Sequence, residues 1–91
     1  MIRLSPDKLV EKGVLDFGNS DFRLMKTTCC KQYIVYEDEV GHIYYDLNDF
    51  QKVCLCFDLD KCPVCSNKDW DYADIEEEDV PRDWYWAVWE T

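Results

Sequence analysis

Histidine occurs once, at His42, and glycine and proline three times each. One imidazole leaves little to act as a general base, no His-Glu-x-x-His pair is present to hold a catalytic metal, and no glycine-rich loop can cradle a phosphate. Positive charge is also scarce. Ten lysines and arginines face twenty aspartates and glutamates, a formal net charge of −10. Contact with a nucleic-acid backbone needs a cationic surface, so no direct nucleic-acid binding is expected. No apolar run approaches the length of a membrane span. The stretch MIRLSPDKLVEKG breaks its few apolar residues with charges, unlike the continuous apolar core of a secretory signal. A soluble, cytoplasmic protein without a membrane partner is expected. Twenty carboxylates make chance pairs inevitable, so Asp69 with Asp71, or Asp58 with Asp60, is no catalytic dyad on spacing alone. The expectation is a protein that is not an enzyme.

Internal repeats, linkers and low-complexity tracts are absent too, which leaves a single domain over residues 1–91. A chain of this size buries a modest core and calls for a further staple. Six cysteines, Cys29, Cys30, Cys54, Cys56, Cys62 and Cys65, are the obvious source. The reducing cytosol seldom keeps structural disulfides, which favours metal ligation. Cys62-Pro63-Val64-Cys65 has the spacing that lets two thiolates of one tight turn reach a single tetrahedral ion. Two more ligands are needed, and Cys29 and Cys30, between two expected strands, are the best placed to supply them. Cys54, Cys56 and His42 are the reserve candidates. A simpler reading makes the two cysteines small apolar strand residues and His42 a residue of a hairpin. Cys65 runs into Ser66-Asn67-Lys68-Asp69, which reads as a turn, whereas a redox Cys-x-x-Cys opens a helix. A thiol redox or metal-sensing role for Cys62 and Cys65 is therefore the alternative.

Local patterns predict an α+β domain, a small antiparallel sheet with short helices. Ser5-Pro6-Asp7 suits a helix start and Gly13 its end. Phe22, Leu24 and Met25 to Thr28 predict a strand leading into Cys29. Gln32 to Tyr36 and His42 to Tyr45, rich in β-branched and aromatic residues, flank the polar Glu37 to Gly41 as an antiparallel hairpin. Asp46 and Asn48 can cap a short helix through Asp49-Phe50-Gln51-Lys52. Val53 to Phe57 alternates as a strand with Cys54 and Cys56 on one face, and a turn over Asp58 to Lys61 follows. Trp70, Tyr72 and Ala73 alternate with Asp69, Asp71 and Asp74, which predicts a strand with one acidic face. Pro81 can open a last helix carrying Trp84, Trp86 and Trp89.

The two cysteine pairs and the strands around them resemble a zinc ribbon, in which two cysteine turns from separate hairpins clasp one ion. The resemblance covers residues 27–72 and implies one structural zinc held by Cys29, Cys30, Cys62 and Cys65. Thr27 stands where the first cysteine of a Cys-x-x-Cys ending at Cys30 would be. Cys29-Cys30, Tyr44-Tyr45-Asp46 to Phe50, Cys62 to Cys65, Asp69-Trp70-Asp71 and Pro81 to Trp86 together look like small bacterial proteins with a cysteine-pair site and a Trp-rich end. In size and acidity some of these are similar to immunity proteins that neutralise toxin domains, an analogy that assigns no residue.

Charge is unevenly placed. Residues 1–36 carry six basic and four acidic side chains, whereas residues 69–91 carry nine acidic ones against Arg82 alone. Such an acidic, Trp-rich region suits a basic protein partner. Asp69, Asp71, Asp74, Glu76, Glu77, Glu78 and Asp79 would supply the charge, and Trp84 and Trp86 the aromatic anchors. In a helix Trp86 lies away from the Trp84/Val88 face. The plainer reading places the tryptophans in the core. The expected function is to inhibit or neutralise a basic partner, such as a toxin, nuclease or defence-system component, with carboxylates standing in for phosphates.

Overall fold

Six short strands pair into one antiparallel sheet in the computed structural model, which describes residues 2–15, 18, 21–56 and 60–89. They are β1 (Ile2–Leu4), β2 (Phe22–Thr27), β3 (Tyr33–Glu37), β4 (His42–Tyr44), β5 (Val53–Leu55) and β6 (Tyr72–Asp74). The order is β1-β2-β3-β4-β5, and β6 joins β2 on the same edge as β1. β1 pairs with residues 22–24 and β6 with residues 25–27, so the two lie end to end along β2. The expected hairpin is β3–β4, with Glu37 opposite His42. Helix is a minor part: one five-residue α-helix, α1 (Pro6–Val10), and 3-10 segments at Glu77–Asp79 and Arg82–Ala87. The α+β label thus holds for its sheet and its short helices, with sheet dominant.

Register sorts the side chains onto two faces. One face carries Ile2, Leu4, Phe22, Leu24, Val35 and Tyr44, each at most 5 % exposed, and Leu9, Val14, Ile75, Val80, Trp84 and Ala87 complete this main core. The other face carries Met25, Ile34 and Ile43, covered by the half-buried Tyr36, Tyr45, Cys54, Cys56, Trp70 and Tyr72. Cys54 of β5 and Cys56, one residue beyond the end of that strand, both pack against this cluster.

Several elements differ from the sequence expectation. β1 was not foreseen, because three residues carry too little pattern. It is held by β2 on one side and by residues 87–89 on the other. There Leu4 bridges Val88, Trp89 N–H donates to the Arg3 carbonyl at 2.9 Å, and Ser5 N–H donates to the Ala87 carbonyl at 2.7 Å. The helix expected over residues 49–52 is instead a pair of turns. Asp46 and Asp49 accept the backbone N–H groups of Asn48 and Gln51 at 2.9 and 3.1 Å, so Asp46, one of the two expected caps, and Asp49, expected inside the helix, each close an Asx turn. α1 ends at Val10, three residues before the expected stop at Gly13, where the chain turns with φ +99°. The last helix winds as 3-10 and ends at Ala87, leaving Trp89 outside it. Phe57, at the end of the expected strand, and Asp58 and Leu59 of the expected turn lie outside the described residues.

Candidate metal centre and acidic surface

Two turns of one shape bring four thiols together. In the first, Thr27 N–H donates to the Gln32 carbonyl at 2.9 Å; in the second, Cys62 N–H donates to the Asn67 carbonyl at 2.9 Å. The residue after the second cysteine of each pair is left-handed, Lys31 at φ +54° and Ser66 at φ +66°. This backbone reversal aims the flanking thiols inward. It costs roughly 1–2 kcal/mol per non-glycine residue, so something must hold it in place. The Sγ atoms of Cys29, Cys30, Cys62 and Cys65 all lie within 4.8 Å of one another. Cys29 is 3.3 Å from Cys65, and Cys30 is 3.9 Å from Cys62 and 4.0 Å from Cys29. With metal–sulfur bonds of about 2.3 Å a tetrahedral ion would set the sulfurs about 3.8 Å apart, within the observed spread. None of the four forms a disulfide. The cluster can therefore hold a metal ion, and its four soft sulfur donors, with no carboxylate or imidazole, suit a closed site.

Electrostatics point the same way. Burial pushes the Cys62 thiol up, but the backbone N–H groups of Cys65 and Val64, with the Cys29 and Cys65 thiols, outweigh it and bring Cys62 down to about 7. The Val64 nitrogen is 3.4 Å from the Cys62 sulfur. Cys29 moves the other way, to about 12, through desolvation and then hydrogen bonding to Cys65, Cys62 and Cys30. Four thiolates at this spacing need a positive ion among them.

Thr27 keeps the place of the missing first cysteine. Its hydroxyl lies 3.1 Å from the Cys30 sulfur and accepts the Gln32 N–H at 3.0 Å. Both adjacent cysteines, Cys29 and Cys30, reach the cluster. The reserve candidates do not. Cys54 donates toward the Ile43 carbonyl at 3.6 Å, Cys56 is 3.3 Å from the Tyr72 hydroxyl, and His42 Nδ1 is 3.1 Å from the carboxylate of Glu37. Glu37 is fully buried and also accepts the Val40 N–H. No sequence motif singles it out, apart from its place opposite His42 across a hairpin turn.

The acidic segment leaves the cluster directly. Thr28 N–H donates to the Asp71 carbonyl at 2.8 Å and Asp71 N–H donates to the Thr28 hydroxyl at 3.1 Å, so the first cysteine turn is stitched to the start of β6. Asp69, Asp71, Asp74, Glu76, Glu77, Glu78 and Asp79 are all exposed. The ion pairs among the described residues are Arg23–Asp38, His42–Glu37 and Lys52–Asp46, and none includes these seven acids. Beside them Ile2, Val80, Tyr85 and Val88 floor a shallow groove of about 340 Å³ that Glu77 also lines. The two anchor tryptophans differ in exposure, although their rings lie 5.2 Å apart. Trp84 is 6 % exposed and packs edge-on against Phe50 at 5.8 Å in the main core, whereas Trp86 is 36 % exposed. Trp86 is open to a partner, whereas Trp84 is largely buried and only touches the surface at the wall of a cleft. Among the described residues no helix is long and apolar enough to cross a membrane.

The chain matches no protein-family model, no curated protein and no solved structure.

Proposed function

We propose that this chain is a small cytoplasmic binding protein, without catalytic activity, that inhibits or neutralises a basic protein partner and is stapled by one structural zinc on Cys29, Cys30, Cys62 and Cys65. The observation that carries the reading is the run of exposed, unneutralised carboxylates from Asp69 to Asp79, rooted on the cysteine cluster through Thr28 and Asp71. Such a surface steers a cationic partner to it, and the apolar groove beside Glu77 offers desolvated contact area once the partner arrives. A toxin domain, a nuclease or a component of a defence system has the required basic face. The same negative charge disfavours a nucleic acid as the direct ligand.

The test is capture from native lysate with the zinc-loaded chain and with a variant in which Asp69, Asp71, Asp74 and Glu76 to Asp79 are replaced by their amides. A basic protein held by the first and released by the second is expected. Recovery of no basic partner, or one held equally by both, would sink the proposal. A second reading, a thiol redox or metal sensor, is favoured by one observation, the solvent exposure of Cys65 beside a Cys62 thiol lowered to about 7. Alkylation separates the two. Slow labelling relieved only by a chelator supports structural metal, and fast labelling of one cysteine supports the sensor.

A further inference from the structure

A second concave surface lies around the last helix. A cleft of about 760 Å³ opens between the end of α1, the paired turns of residues 47–51 and the 3-10 helix, with Lys12, Asp49, Phe50, Asp83, Trp84 and Trp86 on its walls. Its size falls in the range of ligand sites. In a 3-10 helix residues three apart eclipse, so Asp83 and Trp86 stand on one side, while Trp84 and Ala87 face the core. An exposed carboxylate and an exposed indole therefore line the same wall, and Asp49 adds a second carboxylate. The cation that meets them is the chain's own: Lys12 Nζ sits 5.5 Å from the centre of the Trp86 ring. Lys12 forms none of the ion pairs found among the described residues.

We propose that this cleft is the anchor site for an arginine side chain of the basic partner, with the guanidinium plane on Trp86 and its fork on Asp83, and that Lys12 occupies the indole until the partner displaces it. The proposal deepens the binding reading above and rests on it. Arginine fits better than lysine because a planar guanidinium stacks on an aromatic face and pairs side-on with a carboxylate at once, whereas an ammonium is a hydrated point charge. Two carboxylates against one displaceable lysine leave the cleft negative and complementary to the incoming charge.

The probe is a short capped peptide of alternating glycine and arginine, compared with its lysine and citrulline counterparts. Affinity is followed by calorimetry and the Trp86 indole N–H by NMR, on the zinc-loaded chain. The arginine peptide is expected to shift that resonance and to bind at least tenfold more tightly than the citrulline peptide and several-fold more tightly than the lysine one. Trp86→Leu, which keeps an apolar side chain but removes the ring, and Asp83→Asn should each weaken it about tenfold. Lys12→Gln should strengthen it several-fold, an increase that a merely structural role for Lys12 would not give. Unchanged affinity in Trp86→Leu and Asp83→Asn, equal binding of the lysine peptide, no gain in Lys12→Gln, or no binding at all overturns the cleft. An arginine peptide that instead loses affinity only when Asp69 to Asp79 are neutralised overturns the cleft and leaves the broader reading standing.

Discussion

Thr27 in the first cysteine turn is the structural counterpart of Cys62 in the second: each donates its backbone N–H to the carbonyl of the residue five further on, at 2.9 Å. By that alignment Cys30 matches Cys65, and Cys29 matches Val64. The fourth sulfur comes from a position that in the second turn is not a ligand at all. A hydroxyl fills the regular place and holds the Cys30 sulfur from the side.

The alignment yields a transplant. Cys29→Ser should weaken zinc binding by tenfold or more, and Thr27→Cys added to it should restore one zinc per chain in the regular spacing. Zinc content by elemental analysis, with native mass spectrometry, reads the outcome. A double variant that holds no more zinc than Cys29→Ser alone refutes the equivalence. In the natural background Thr27→Val leaves the Gln32 N–H without its side-chain acceptor and should cost about 0.5–1.5 kcal/mol, whereas Thr27→Ser should cost less.

Chelation is expected to unfold the sheet. The core of this small chain supplies little, and structural zinc contributes on the order of 10 kcal/mol in small metal domains. Near-UV tryptophan signal and zinc should be lost together in Cys62→Ser and Cys65→Ser. Cys54→Ser, Cys56→Ser and His42→Ala should each keep one zinc. A metal-free, reduced sample that retains full near-UV signal makes the cysteines packing residues.

Acid should release the metal. The Cys62 thiol sits near 7, below its ordinary value of 9.0. A depressed pKa gives its contribution above the unfolded value and loses it as pH falls through the folded one. Zinc retention should therefore decline as pH falls from 8 to 5.5, because protons compete with the ion for the Cys62 sulfur. A colorimetric zinc indicator followed from pH 8 to 5.5 measures it, and release that does not change across that range contradicts it.

Trp84 and Trp86 should divide cleanly. Trp84→Ala removes a buried ring and should cost about 3–5 kcal/mol in denaturant unfolding. Trp86→Ala, on the surface, should cost under about 1 kcal/mol while reducing partner affinity. Equal stability losses would place both rings in the core.

The hairpin, the β2 strand and the four thiols were legible because each carries its own local signal: β-branched runs around a polar turn, and cysteines at turn spacing. What was not legible depended on partners distant in the chain. Ile2-Arg3-Leu4 becomes a strand only through β2 and Val88. The Asp46 and Asp49 side chains could serve a helix or a turn, and tertiary context chose the turn. The 3-10 winding of Arg82–Ala87 was not legible either: its period of three rather than 3.6 puts Trp84 on one face with Ala87 instead of Val88. Lys12 meets Trp86 across most of the chain's length, a contact with no sequence signature.

The pairing of residues 3–5 with 87–89 has a consequence for the order in which the sheet assembles. This seam closes a loop over nearly all the described residues, a contact that is costly in sequence separation. It should form late in folding, after β2 and β3 have supplied the surface on which Ile2 and Leu4 settle.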